Sequence, residues 1–216
     1  MIMTSKSVLK PVVLFPVNMA VMLLLVLVAD RFILNAAFYE KAIYDSGLDW
    51  NAFLINTDSR FKLLLYTSSV LLLFLKYSLI SLLIYTTFYL NVIKVSYQSI
   101  FKIVCLAEMV FLIPATIKVI WFIIYPPTGL DQWTQFYPLS IHSVIFGAYI
   151  PTVISYPLQL LNAFELIYIL TLAYLLQKLL KNDFDHMMKM VLISYLPGLF
   201  VWTLIATYYT VMLNQN

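Results

Sequence analysis

Of the chain's 216 residues, 63% are hydrophobic and 11% charged, and the mean hydropathy is +0.92; soluble domains carry roughly 25% charge, so this is the composition of an integral membrane protein. The net charge of +3 comes from 13 basic residues scattered among apolar runs, and no Lys/Arg run exists to track a phosphate backbone, which excludes nucleic acid as a partner. The lone cysteine, Cys105, excludes an intramolecular disulfide and any multi-cysteine metal site.

A helix of about 20 apolar residues crosses a hydrocarbon core, and five such runs follow one another, over residues 12–34, 63–90, 101–125, 158–176 and 187–213. Together they predict an all-α, polytopic transmembrane helix bundle forming a single integral membrane domain over residues 1–216. Lys6 and Lys10 before the first run resemble the start of a secretory signal, but the run is too long and Asn35-Ala36-Ala37 is a poor cleavage site, so it is expected to stay as the first span. Lys6, Lys10, Lys94, Lys102, Lys178, Lys181 and Lys189 fall on one side of the five spans, and Arg31, Lys41, Arg60 and Lys62 on the other. The excess of positive charge places the N-terminus in the cytoplasm and the C-terminus outside.

Residues 139–154 are also apolar, between Pro138 and Pro157, but short and interrupted by Pro151. Making them cross would move Lys178, Lys181 and Lys189 outside, so a re-entrant or interfacial helix before the fourth span is predicted.

Four charges lie inside the spans: Lys76, Glu108, Lys118 and Glu165. Each costs roughly 2.5–3.5 kcal/mol near a bilayer centre, so each requires a partner, water or a path to the interface. Lys76 shares a helical face with Ser69 and Thr87, and it sits too deep to snorkel. Glu165 continues a polar stripe from Asn162 to Tyr168 and is the predicted mid-membrane partner of Lys76, with Glu108 as the alternative partner. Lys118, near the outer end of the third span with Trp121 and Tyr125, is predicted to be an interfacial anchor. Pro197 and Gly198 interrupt the last span and mark a kink or a hinge.

Catalytic patterns are missing: His142 and His186 fall on opposite sides and outside any H-E-x-x-H motif, and there is no Walker loop or G-x-S-x-G elbow. The expectation is a non-enzymatic protein with no catalytic residue, no metal site and no cofactor.

Three features run together: Pro157, the stretch Leu161-Asn162-Ala163-Phe164-Glu165-Leu166, and a short basic loop before a last span holding Pro197-Gly198. Over roughly residues 60–212 this resembles the Yip family, the Ypt/Rab-interacting membrane proteins and their bacterial relatives. The resemblance implies five helices, a cytoplasmic N-terminus, a non-enzymatic role and, for a bacterial-type member, the cytoplasmic (inner) membrane; the short arm before the first span leaves no domain for binding a GTPase. Two functions are consistent with these residues. One is an accessory or scaffold subunit packed in the lipid bilayer against another integral membrane protein or a second copy; the other is a small proton- or ion-coupled carrier using the buried Lys and Glu residues.

Overall fold

In the computed structural model, residues 11–35, 38–39, 59–145 and 152–213 are described. Much of the first loop, including Lys41, Trp50 and the candidate cleavage residues Ala36 and Ala37, lies outside them, as do residues 146–151 of the expected re-entrant segment.

The described elements are helical: α1 (Pro11–Phe32), α2 (Ser59–Leu90), α3 (Tyr97–Ala107), a 3-10 turn (Glu108–Phe111), α4 (Leu112–Ile124), α5 (Leu130–Gln135), α6 (Ile141–Val144), α7 (Thr152–Leu160), α8 (Ala163–Leu180) and α9 (Phe184–Leu213). Five stretches are long and apolar enough to cross a membrane: Val13–Phe32, Tyr66–Leu90, Tyr97–Ile124, Ala163–Leu180 and Phe184–Tyr209. Between 22% and 39% of each is buried inside the bundle. Leu24, Leu71, Leu72, Ile193 and Phe200 are among the many large apolar side chains facing outward. Water would penalise such a surface heavily, whereas hydrocarbon would not, so the fold suggests a membrane protein.

Two of these stretches differ from the sequence expectation. The third is one span in length but not one regular helix, because Pro114 has no N–H for the carbonyl of Val110, and the backbone tightens into the 3-10 turn just before it. The fourth begins at Ala163 rather than at residue 158. Pro157 lies inside the separate helix α7, and the chain then breaks at Leu161–Asn162, where the Asn162 side chain caps α8 by accepting the Glu165 N–H at 2.8 Å.

The turn between α2 and α3 closes in Schellman fashion: the Ile93 N–H donates to the Phe88 carbonyl at 2.9 Å and the Val92 N–H to the Tyr89 carbonyl at 3.1 Å. Val92 must adopt a φ of 59° there. A β-branched residue is ill suited to that conformation, and glycine is the usual occupant. Because Val92 is 83% exposed and gives up little packing, Val92→Gly is expected to raise stability by about 1 kcal/mol, the relief of left-handed strain less the added backbone entropy. The unfolding midpoint in detergent reports it, and a lower midpoint would rule the strain out.

Packing joins α2 to α3, α3 to α8, α8 to α9 and α9 back to α2, a closed ring of four helices; α1 lies outside it against α3 and α4. The larger core fills the ring toward the 91–96 and 181–183 turns, with Ile84, Phe88, Ile100, Val104, Leu172, Leu176, Met187 and Val191 fully buried or nearly so. A smaller core joins Ala29 of α1 and Ile33 just after it to Val119 and Phe122 of α4, with Trp133 and Phe136 against them. Beyond Leu199, no described residue of α9 belongs to either core. The far half of α9 meets α7, where the Trp202 indole N–H donates to the Tyr156 hydroxyl at 2.9 Å.

Candidate functional site

Each helix of the ring brings a polar side chain to its middle: Lys76 from α2, Glu108 from the 3-10 turn after α3, Glu165 and Tyr168 from α8, and Tyr195 from α9. Counted at about 1.5 Å per residue from the ends next to the 91–96 and 181–183 turns, Lys76, Glu108 and Glu165 lie about 21, 17 and 22 Å along their helices. A layer of about 30 Å would hold all three near its centre.

The predicted leading pair, Lys76 with Glu165, does not form. Lys76 Nζ donates to Glu108 Oε2 at 2.8 Å and lies 4.5 Å from the centroid of the Phe111 ring. Glu108 wins because the 3-10 turn carries it across the α2–α3 contact, whereas Glu165 is engaged at the opposite wall. Set in the first turn of α8, Glu165 accepts a hydrogen bond from the Tyr195 hydroxyl through Oε1. Its main-chain N–H is taken by Asn162, so the two residues form a helix cap instead of the expected mid-helix stripe. Lys76 still acts on Glu165 through space, as does Glu108. The pair is unequally buried, with the Lys76 side chain 42% exposed and that of Glu108 2%.

The rings of Phe111, Tyr168 and Tyr195 pack in succession through the cluster in tilted contacts, with centroid spacings of 5.0 and 5.3 Å. Tyr168 is fully buried, and its hydroxyl meets the Glu108 carboxylate, a side-chain contact that joins α8 to the 3-10 turn. Below the cluster, Asn18 Nδ2 of α1 donates to the Cys105 carbonyl at 2.7 Å, tying α1 to the ring.

The connector from α4 to α8 roofs the site. An antiparallel bridge pairs Ser140 with Asn162: the Ile141 N–H donates to the Leu161 carbonyl at 3.0 Å, and the Ala163 N–H to the Leu139 carbonyl at 3.3 Å. The chain therefore leaves and returns at one point, with α6 and α7 packed in the excursion between. Burial pushes the Tyr137 phenol up to about 12, with Glu165 and then Glu108 adding to the shift. It remains a neutral group at the roof across the physiological range.

The remaining candidates stand apart. Lys118 Nζ lies 4.6 Å from the Trp133 centroid, on α5, and Trp121 stacks on Phe136 and makes a tilted contact with Tyr125 beside it. Its cation is thus held by the connector's aromatic residues, away from the Lys76 cluster. Pro197 and Gly198 sit within an unbroken α9. Two surface grooves, of about 590 Å3 beside Tyr89 and about 430 Å3 beside His142, do not touch the charged cluster. His186 is exposed, and among the described residues no three His, Cys, Asp or Glu side chains converge on a metal position.

No protein-family model, curated protein or solved structure matches this chain. The functional reading therefore rests on the cluster itself. Sequence reasoning selected Lys76, Glu108, Asn162 and Glu165 but passed over Asn18 and Tyr195. Asn18 carried a signal, as an amide inside the first apolar run; Tyr195 carried none, being one of 16 tyrosines.

Proposed function

We propose that the chain is a non-enzymatic integral membrane protein, an accessory or scaffold subunit whose ring of helices packs against another integral membrane protein. The observation that carries this reading is Lys76. Its charge is directly bonded to Glu108, a contact that holds helices together, yet its side chain is still 42% open at mid-depth, on a helix flank it shares with exposed Leu72 and Leu79. An ammonium left open to hydrocarbon is costly, and a neighbouring protein helix offering acceptors to its unused N–H groups removes that cost. A second copy of the chain would serve in the same way, with less electrostatic benefit because it brings a second Lys76.

In this reading the N-terminus is cytoplasmic, the membrane is the bacterial inner membrane, and the segment over residues 139–154 is re-entrant from the outer side. Its base returns to one point near the cluster, which supports re-entry over a sixth crossing. The five apolar helices and the Asn162–Glu165 cap are consistent with a Yip-like chain. A carrier is the second reading, favoured by the irregular backbone at Glu108, since broken spans beside a mid-depth carboxylate recur in ion-coupled transport.

The test is cross-linking in native membranes from cysteines at Leu72 and Leu79. The expected product is a discrete adduct with a second polypeptide, weakened when Lys76 is changed to Met. If both positions react with lipid-soluble reagents alone and the purified protein is a monomer, the accessory reading fails.

A further inference from the structure

The stretch from Tyr85 to Ser96 joins α2 to α3, and its side chains sort by chemistry. Phe88 is fully buried, whereas Tyr85 and Tyr89 lie on one flank of α2 with their rings stacked at 6.5 Å. Tyr97 meets Tyr85 edge-on at 6.1 Å and spends its hydroxyl on the Ser78 carbonyl. After the turn, Ile93 and Val95 pack on the core, and Lys94 between them is exposed. Tyr85, Tyr89, Ile93, Lys94, Val95 and Ser96 line a groove of about 590 Å3. Among the described residues, no carboxylate pairs with Lys94 and no aromatic ring holds it, unlike Lys76, Lys118 and Lys178.

The depth of the groove is a second, independent observation. A layer about 30 Å thick centred on Lys76 ends about 15 Å along α2, near Thr86. Tyr85 and Tyr89 then flank the edge of the hydrocarbon, where tyrosine rings are favoured, and Lys94 falls among the headgroups. The same end of the bundle bears Lys94, Lys102, Lys178, Lys181 and Lys189 against Asp183 and Asp185 among the described residues, so its potential is positive. A free anion would engage Lys94 and leave the apolar lining wet, and an apolar molecule would leave Lys94 unused. A lipid with a net negative headgroup engages both.

We propose that the groove binds one anionic phospholipid, with its phosphate at Lys94 and the start of an acyl chain against the Tyr85 and Tyr89 rings. Lys94 is the anchor rather than the N-terminus of α3, because Ser96 Oγ is already engaged there by the Ser99 N–H at 3.3 Å and the Ser99 hydroxyl at 2.8 Å. No carboxylate lines the groove to receive the ammonium of a zwitterionic headgroup, and the lysines around it repel that ammonium. The selected lipid is therefore one whose headgroup adds no cation to its phosphate. The site requires no partner protein, so it stands or falls separately from the accessory reading.

The experiment is thermal unfolding of the purified full chain in a neutral detergent, titrated in parallel with phosphatidylglycerol, phosphatidylcholine and water-soluble glycerol phosphate. The expected result is a saturable rise with phosphatidylglycerol alone, roughly 5 °C or more at a hundred times the half-saturating fraction. Lys94→Gln should move that fraction about fivefold higher, and Lys94→Arg should restore it. Lys189→Gln, at the same end of the bundle but outside the groove, should leave it in place. Lys94 is exposed, so none of these variants endangers folding. An equal rise with phosphatidylcholine overturns the proposal in favour of unselective lipid, and a rise with glycerol phosphate overturns it in favour of a soluble anion. An equal shift from Lys189→Gln reduces the effect to diffuse attraction at a basic surface. A midpoint that follows protein concentration and ignores lipid puts a second copy in the groove instead, and one that responds to nothing leaves the groove without a ligand.

Discussion

Lys76→Met is expected to lower the stability of the protein in micelles by about 2–3 kcal/mol, and adding Glu108→Leu to recover most of the loss. Breaking a buried ion pair from one side typically costs about 3–5 kcal/mol because the remaining charge keeps its desolvation penalty without its partner. The lower figure applies because Lys76 is 42% exposed and solvated on one side. The burden falls on Glu108, which is almost fully enclosed. Its side-chain surroundings, Phe111 and Tyr168 among them, are a good setting for leucine, so the double substitution replaces two paired charges with apolar contacts. Glu108→Leu alone should cost less than Lys76→Met, since the freed ammonium can reach solvent on its open flank. Equilibrium unfolding of the four proteins forms a double-mutant cycle, and a coupling energy near zero would show that the 2.8 Å contact contributes nothing to the fold.

The order of these costs illustrates what a sequence can and cannot say about such a cluster. The five long apolar helices were legible because apolar length is a one-dimensional property, and each overlaps the run expected for it. Partner choice was not, because it depends on which helices touch. Lys76 and Glu165 are both deep in their spans, yet the ring sets α2 against α3 and α9 and sets α8 across from it. Pattern also misplaced the start of the fourth span. Residues 152–160 are predominantly apolar too, and the break is visible through the Asn162 cap and the bridge to Ser140. Asn162 and Glu165, three residues apart, are equally consistent with a mid-helix stripe and with a helix start. The bridge to a segment more than twenty residues earlier decides between them, and no local signal encodes it. The 3-10 turn at Glu108 had a local cause in Pro114, six residues on, whose effect on the carboxylate's direction requires the backbone to be built.

Gly198→Leu is the second substitution expected to have a large effect, and it separates the two roles open to Pro197-Gly198. A Cβ added at Gly198 would lie 2.5 Å from Leu83 Cδ1, well inside contact distance. Gly198 is therefore a point of close approach between α9 and α2, beside Leu199, the last described α9 residue packed on the core. Since the obstructing atom is the end of a flexible side chain, Gly198→Ala can be absorbed by a rotamer change at Leu83, for about 1 kcal/mol or less. Leucine cannot be absorbed in that way. It should force the helices apart and lower stability by about 2–3 kcal/mol, with Leu83→Ala restoring much of the loss by opening the facing position. Pro197→Ala returns an N–H to the Ile193 carbonyl within an already continuous helix, and it should leave stability the same or slightly higher. A close-approach role thus places the large effect at Gly198 and its rescue at Leu83. A hinge would instead make Pro197→Ala the damaging change, and cross-linking at Leu72 and Leu79 would then lose its polypeptide adduct in that variant while folding stayed intact.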